Sequence, residues 1–413
     1  MNQNYKTQIS VDEALDILKA HATPLGTEEV DLLHALGRTL AEDLASQVDH
    51  PSCDNSALDG YACREADTLD ATKENPVELE LIGDIPAGSM FGGEVGAGEA
   101  VGIYTGAPVP RGANAIIGVE YTEQRAGQRG DTVVFKKPAS TRDIRPRAQD
   151  LKVGEVYLQK GTRLTPASIG VAASMGYPTL NVTRKPRVGV LATGDEVIDP
   201  GEPIRDGQVY NSNAYSVAGL IEEAGGEPIM LPKVEDNPEK LKGALEALGG
   251  VDLLITSGGV SMGKYDFVRD LLMDEETVHF WKVMMKPGGP AMFGEWRGLR
   301  VFGLPGNPVS SMVVFQLLTK VWLDAALGLA DKPLFHKRII ATAATSFKGT
   351  NAKVTLNRAR LSFDNERGYL AHSTGSQSSG VLTSMLSADG LVIVPPGEQV
   401  KEGARLEVIP LAM

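Results

Sequence analysis

The tightest constraint on this chain is an alternation of strand-like and helix-like runs between residues 186 and 332, in which three strand-like runs end in glycine-rich turns. Residues 187–192 run into Thr193-Gly194-Asp195-Glu196, the apolar run 251–256 into Ser257-Gly258-Gly259, and 300–304 into Pro305-Gly306-Asn307-Pro308. Between them, 211–224 has helical periodicity and stops at Gly225-Gly226, 228–233 reads as a further strand, and Asn237-Pro238 has the cap-then-proline form of a helix start. An apolar helix follows Pro308 to about residue 327. This alternation predicts a parallel sheet with helices on both faces. Ligands of such sheets bind beyond the carboxyl ends of the strands. Glycine lets the backbone approach closely, and the amides of the next helix start face an anion. One such turn ends many strands without any ligand; three in one sheet, two of them carrying Ser or Thr, favour a phosphate-bearing molecule. None matches the phosphate loop ending in Gly-Lys-Ser/Thr or the dinucleotide Gly-x-Gly-x-x-Gly pattern, which argues against ordinary nucleotide hydrolysis and nicotinamide chemistry.

A chain of 413 residues exceeds one core, and domains of about 100–150 residues predict three or four units. Ser10 and Glu13 have capping-box spacing ahead of a helical run, and a second helix is expected around 34–44. Residues 51–150 are rich in Gly and Pro, with short β-type runs at 77–82 and 133–136. Helical patterning returns at 166–175. A β module that interrupts two helical stretches reads as an insertion. The expected partition is 1–50 with 151–185 as one discontinuous mixed domain, 51–150 as the inserted β-rich domain, 186–332 as the α/β domain, and 333–413 as a small β-barrel or sandwich, since 353–361 alternates and 391–395 is an apolar run.

Cys53 and Cys63 are the only cysteines, too few for a disulfide framework and without metal-ligand spacing, so a reducing cytosol is the expected home. The N-terminus lacks the apolar core of a signal peptide, and no apolar run is expected to approach the roughly 20 residues of a membrane span. The net charge of −13 argues against a general nucleic-acid binder. An acidic protein can still hold an anionic small molecule if local cations, helix starts or a divalent metal reverse the field. Asp195, Glu196, Asp236 and Asp266 adjoin the glycine turns, where they would repel phosphate unless a cation such as Mg²⁺ intervenes. Asp236, directly ahead of Asn237-Pro238, reads equally as a helix cap. Arg145 and Arg147 flank Pro146, and Lys282 and Lys286 lie in WKVMMKPGGPAMFG; cations in Pro/Gly-rich loops favour an anionic ligand over mere solubility. The six His are scattered and no Ser-His-Asp arrangement is readable, so nucleophilic catalysis is not expected.

DNSALDGYA at 54–62, TGAPVP at 105–110, TGDE, SGGVSMGKYDF, KPGGP and GLPGNPVSS, in this order, resemble the molybdopterin molybdotransferase family, which includes bacterial MoeA and the C-terminal domain of gephyrin. The resemblance runs from about Ser10 to the end. It implies an elongated homodimer: an α/β multi-domain chain with a parallel α/β sheet domain, a β-rich inserted domain, a small mixed domain and a C-terminal β-barrel. It implies adenylylated molybdopterin and molybdate as substrates with Mg²⁺, giving molybdenum cofactor and AMP, in the cytoplasm, without nucleic acid or membrane. Molybdopterin adenylyltransferase and apo-molybdoenzymes are the implied protein partners. By the same resemblance the catalytic set is Asp59, Asp150, Glu196, Asp236 and Asp266, with Glu196, Asp236 and Asp266 around the metal. Substrate would be held by Arg145, Thr193, Gly194, Ser257, Gly258, Gly259, Lys282, Lys286, Pro290, Asn307, Ser310, Arg358, Ser376 and Ser378. Two departures stand out: Gly289 replaces a common Lys in the KPGGP turn, and Ala148-Gln149-Asp150 replaces the usual Gly-Glu-Asp. Alternatives are a molybdopterin adenylyltransferase, against which the extra domains weigh, and a gephyrin-like scaffold.

Overall fold

The computed structural model describes residues 5–86, 88–128, 130–232, 239, 242–243, 249–259, 267–274, 277–329 and 333–411. Its centre is a seven-stranded sheet of β1 (Lys6–Ile9), β2 (Arg187–Ala192), β3 (Glu227–Met230), β4 (Leu253–Ser257), β5 (Val278–Val283), β6 (Met292–Trp296) and β7 (Leu299–Leu304), in the order β1-β5-β6-β7-β4-β2-β3. The run β7-β4-β2-β3 is parallel, as the alternation predicts, while β6 is antiparallel to both its neighbours. The central strands read as continuous apolar runs because both of their faces are buried. Val188, Val190 and Ile255 face one core, which also holds Val217, Ile221 and Trp322. Leu191, Leu254 and Val301 face a second core closed by Leu272.

Three helices follow the sequence reading closely. Helix α1 (Val11–Ala20) carries the expected capping box, with the Ser10 hydroxyl accepting from the Glu13 amide and the Glu13 carboxylate accepting from the Ser10 amide. Helix α2 spans Pro166–Ser174. Helix α3 spans Ser212–Glu223, with the Asn211 side chain accepting from the Ala214 amide. The helix starting at Asn237-Pro238 lies outside the described residues. Residues 34–44 are not a second helix: they form turns, with Gly37 at φ 75°, and lead into the strand Leu44–Ala45 paired with Val156–Leu158. The expectation of no span-length apolar run also needs correction. Pro308–Ala326 has 19 residues and is long and apolar enough by length and composition to cross a bilayer, yet most of it is buried as the principal core helix.

On either side of the 51–150 stretch, Thr27–Asp31 pairs antiparallel with Thr179–Thr183, and Leu40, Leu164 and Val182 share one core. The first residues go elsewhere: β1 adds parallel to β5, and Leu15 and Leu18 of α1 pack in the core of the seven-stranded sheet. Residues 6–20 thus join the α/β layer, away from 151–185, because the apolar face of α1 covers the long helix. The stretch 60–135 supplies a six-stranded sheet. In the tail, Val354–Asp364, Gly368–Ser373, Ile339–Ala343, Arg405–Pro410 and Gly390–Val394 pair in that order, and the last closes on the first, making a five-stranded barrel. Met285–Lys286 adds alongside Val354–Thr355, attaching the barrel to the sheet domain.

Candidate functional site

Because β2, β4 and β7 are neighbours and parallel, their carboxyl ends deliver the three glycine turns to one place. The result is a cleft of about 420 Å³ lined by Thr193, Glu196, Asn213, Ser257, Gly258 and Asn307, among others. Main-chain bonds hold the turns together: the Thr193 amide donates to the Ser257 carbonyl (3.4 Å) and the Gly258 amide to the Leu304 carbonyl (3.0 Å). Gly194 takes φ 124°, and a Cβ there would sit 2.8 Å from Glu196 Oε2, so the carboxylate folds over its own turn. Asn307 precedes the long helix without capping it by its side chain.

Asn213 was missed in the sequence reading. Its Nδ2 donates to Ser257 Oγ (2.8 Å) and to the Gly306 carbonyl (2.7 Å), tying two turns to the first turn of α3. The Asn-Ser-Asn triplet at 211–213 reads only as a helix start, with Asn211 as the cap; nothing local shows that the second Asn faces two distant loops.

A second cleft, also about 420 Å³, lies where the KPGGP turn meets the barrel. Lys286, Lys348 and Arg358 line it with Ser346, Thr350, Thr355, Asn357, Ser373 and Gln377, and no Asp or Glu is in its lining. Arg358 is 1% exposed. Its Nη2 donates to the Ser376 and Ser378 carbonyls (both 3.1 Å) and its Nε to Ser384 Oγ (3.1 Å). Burial pulls the Arg358 guanidinium below the ordinary arginine value, and among the described residues no carboxylate pairs with it. Gln377 locks the same residue by accepting from the Arg358 amide (2.8 Å) and donating to its carbonyl (3.1 Å). The serines therefore offer carbonyls to Arg358, while the arginine fixes the loop that carries them.

That loop joins the two clefts. Gly375 and Gln377 line the second, Gly380 lines the first, and between them the Ser379 carbonyl accepts from the Val309 amide (3.1 Å) at the start of the long helix. The KPGGP turn rests on the same helix. Gly288 has φ 99°, and a Cβ there would collide with Val314 Cγ2. Ser310 is buried beneath this turn, and Pro290 is partly buried beyond it. Lys282 departs from its expected place in a loop: it lies in β5 at φ 70°, its amide donates to the Ala291 carbonyl (2.9 Å), and its Nζ sits 4.1 Å from the Trp281 ring centroid. Gly259 follows the first cleft, and its carbonyl accepts from the Arg269 amide (3.1 Å).

Asp59, Arg145 and Asp150 form a third group, and neither cleft lining includes a residue from 51–150. The loops that carry them meet each other. Ile144–Arg145 pairs with Asn55–Ser56, and the Ser56 amide donates to the Ala107 carbonyl (3.0 Å). Asp59 Oδ1 accepts from the Thr105 amide (2.8 Å) and hydroxyl (2.7 Å), which hold its carboxyl below the usual aspartate value. Arg145 Nη2 reaches the Ala57 carbonyl at 3.4 Å, and the Asp150 amide donates to His50. Asp236 and Asp266 lie outside the described residues, so Glu196 alone represents the expected metal ligands. Among the described residues no three His, Cys, Asp or Glu side chains gather as a metal site.

Comparison with known proteins accounts for this layout. Three family models match in succession: the MoeA N-terminal region (domains I and II) over residues 9–176, a probable molybdopterin-binding domain over 189–325, and the MoeA C-terminal region (domain IV) over 341–411. The chain is 36% identical to the molybdopterin molybdenumtransferase of Bacillus subtilis, over 97% of this chain and 93% of that one. It is 34% identical to the same-named protein of Haemophilus influenzae, over 94% of each. The crystal structure of the molybdopterin biosynthesis protein moeA from Pyrococcus horikoshii superimposes with a TM-score of 0.81 at 29% identity, over 97% of this chain and 99% of that one. With successive domain models and full-length relatives in agreement, the chain belongs to the molybdopterin molybdenumtransferase family.

Proposed function

We propose that this protein is a transferase that inserts molybdenum from molybdate into molybdopterin, taking the pterin in its adenylylated form and releasing AMP. The observation that carries the reading is the pair of clefts joined by the 375–380 loop: one built from glycine turns, the other lined by three cations and no acid. A long substrate with a nucleotide at one end and a dithiolene at the other matches two adjoining sites of different chemistry. The relatives' name supports the same reading.

In this reading the first cleft holds the AMP end, with the 193–196 and 257–258 turns presenting main-chain groups to its phosphate. The second cleft holds molybdate, its double negative charge met by Lys286, Lys348 and Arg358. Water adds to one phosphorus of the phosphoanhydride, the P–O bond breaks, and AMP leaves. At the other end two Mo–S bonds form, while the two dithiol protons and one oxide of molybdate leave as water. Mg²⁺ in the first cleft would neutralise charge on the phosphate oxygens. One carboxylate, Glu196, fits how this ion binds beside phosphates, with one or two carboxylates and retained waters, and Asp236 and Asp266 are the remaining candidates. Asp59, Arg145 and Asp150 then act on a second copy of the chain in a homodimer, since their loop cluster lies outside both clefts of their own chain. The unpaired Cys53 and Cys63, the latter with its thiol pushed up to about 12 by burial, suit a reducing cytosol. Apo-molybdoenzymes are the proposed recipients and an adenylyltransferase the proposed supplier.

The test is in vitro reconstitution: purified protein, adenylylated molybdopterin, molybdate and Mg²⁺, scored by AMP release and by activation of an apo-molybdoenzyme. Glu196→Gln should cut AMP release at least about a hundredfold with the fold intact, as expected when a charge-assisted contact made only at the reacting phosphate is lost. Undiminished turnover would remove Glu196 from the site. ATP consumption with free molybdopterin would instead identify an adenylyltransferase.

A further inference from the structure

Gly289 has no positive φ among the chain's left-handed glycines, so its backbone does not demand glycine. It is nonetheless buried in the KPGGP turn, and the space a side chain would enter is taken. A Cβ at Gly289 would lie 2.9 Å from Lys353 Nζ and 3.2 Å from the Met285 carbonyl. The amine reaches this place from the barrel, across the join between the two domains. The Val354 amide donates to the Met284 carbonyl (3.1 Å), and Met285 stands opposite Val354 in register. The Lys353 carbonyl accepts from Thr350 Oγ1 (3.0 Å) and Thr355 Oγ1 (3.4 Å), two hydroxyls that line the second cleft. Among the described residues no carboxylate lies within ion-pair distance of Lys353.

Lys353 is not in the cleft lining itself; its half-buried ammonium, without a carboxylate partner among the described residues, lies against the turn whose Lys286 and Pro287 line that acid-free wall. Withholding water from an ammonium without a counter-ion is costly, and an arriving oxyanion offsets that cost. We propose that Lys353 is an oxyanion-binding residue of the second cleft, and that Gly289 is small so that the Lys353 ammonium can lie against the turn. The ligand class is a tetrahedral dianion such as molybdate or tungstate. This rests on the reading of the second cleft as the molybdate end.

Titration calorimetry of the full chain with molybdate alone and tungstate alone tests it, with AMP titration as a control on the first cleft. Lys353→Met keeps the stem and removes the charge; it should weaken oxyanion binding by about tenfold or more and leave AMP binding unchanged. Gly289→Ala should weaken oxyanion binding by displacing the amine. The double variant should be no weaker than Lys353→Met alone, because both changes act through one ammonium. Additive losses, or native-like oxyanion affinity in Lys353→Met, would overturn the assignment while leaving the proposed activity standing. A native protein that binds neither oxyanion would overturn both. Should Lys353→Met fold poorly, Lys353→Gln serves the same purpose.

Discussion

In the proposed reading the two clefts would hold anions by opposite means. At the ends of β2, β4 and β7 the surroundings are main chain and neutral side chains, with Glu196 as a negative group in the wall. Where the barrel meets the KPGGP turn, the surroundings are Lys286, Lys348 and Arg358 with hydroxyls and amides, and the wall has no acid. Both lie in a chain of net charge −13. In that reading a phosphate at the first cleft would be oriented by turns anchored on the sheet, and its charge would leave work for a metal. An oxyanion at the second would be met by side-chain cations, the exposed Lys286 and Lys348 and the hydrogen-bonded Arg358, and would need none. One site therefore depends on strand order, the other on a few buried contacts, and substitutions should separate them.

The largest expected effect is at Arg358. Arg358→Met removes three charged hydrogen bonds that hold the Ser376 and Ser378 carbonyls and the Ser384 hydroxyl. A loss of about 3 kcal/mol in barrel stability is expected, with oxyanion binding abolished. Denaturant unfolding and molybdate titration check the two parts, and AMP affinity should fall much less. If AMP and molybdate affinity drop together, the bridging loop couples the clefts and the contrast between them breaks. A smaller, reciprocal effect is expected at Asn213. Asn213→Ala deletes the donors to Ser257 and Gly306, worth about 1–2 kcal/mol. The Km for the adenylylated substrate should rise roughly tenfold and that for molybdate stay fixed. Equal rises in both would show that the turns of the first cleft also set the geometry of the second.

The same contrast explains what could be read in the sequence. The first cleft was legible because each contribution begins contiguously, with a strand running straight into a glycine turn three times over; the turn after β7 leads directly into the long helix, whereas residues 197–211 separate the first turn from α3. Parallel neighbours then had to bring the turns together. The second cleft was legible only in part. Lys286 announces itself in KPGGP, but Lys348 and Asn357 have no local pattern and join Lys286 only when the barrel strand pairs with Met285–Lys286. The 34–44 stretch shows the limit of periodicity, since Leu40 and Leu44 pack from an isolated bridge and a short strand while Leu36 is exposed, instead of all three sharing one helical face. The position of β1 at the sheet edge was invisible too, because four mostly exposed residues carry no core pattern.

The smallest expected effect concerns the loop cluster of the 51–150 module, which belongs to neither cleft. Thr105 holds Asp59 through its amide and its hydroxyl, and Thr105→Val removes only the second. The Asp59 carboxyl is lowered in the folded chain, so its contribution to stability is complete above the ordinary value of 3.8 and vanishes as pH falls through the lowered folded value. The variant's Asp59 should titrate nearer to 3.8, as seen by carboxyl-resolved NMR. Its stability should fall slightly below native near neutral pH and converge with native once both carboxyls are protonated. AMP and molybdate affinities of the isolated chain should not move, because the cluster lines neither cleft. A change in turnover without a change in either affinity would place Asp59 at a reacting group supplied to another copy of the chain, and would make this loop cluster a third component of the site.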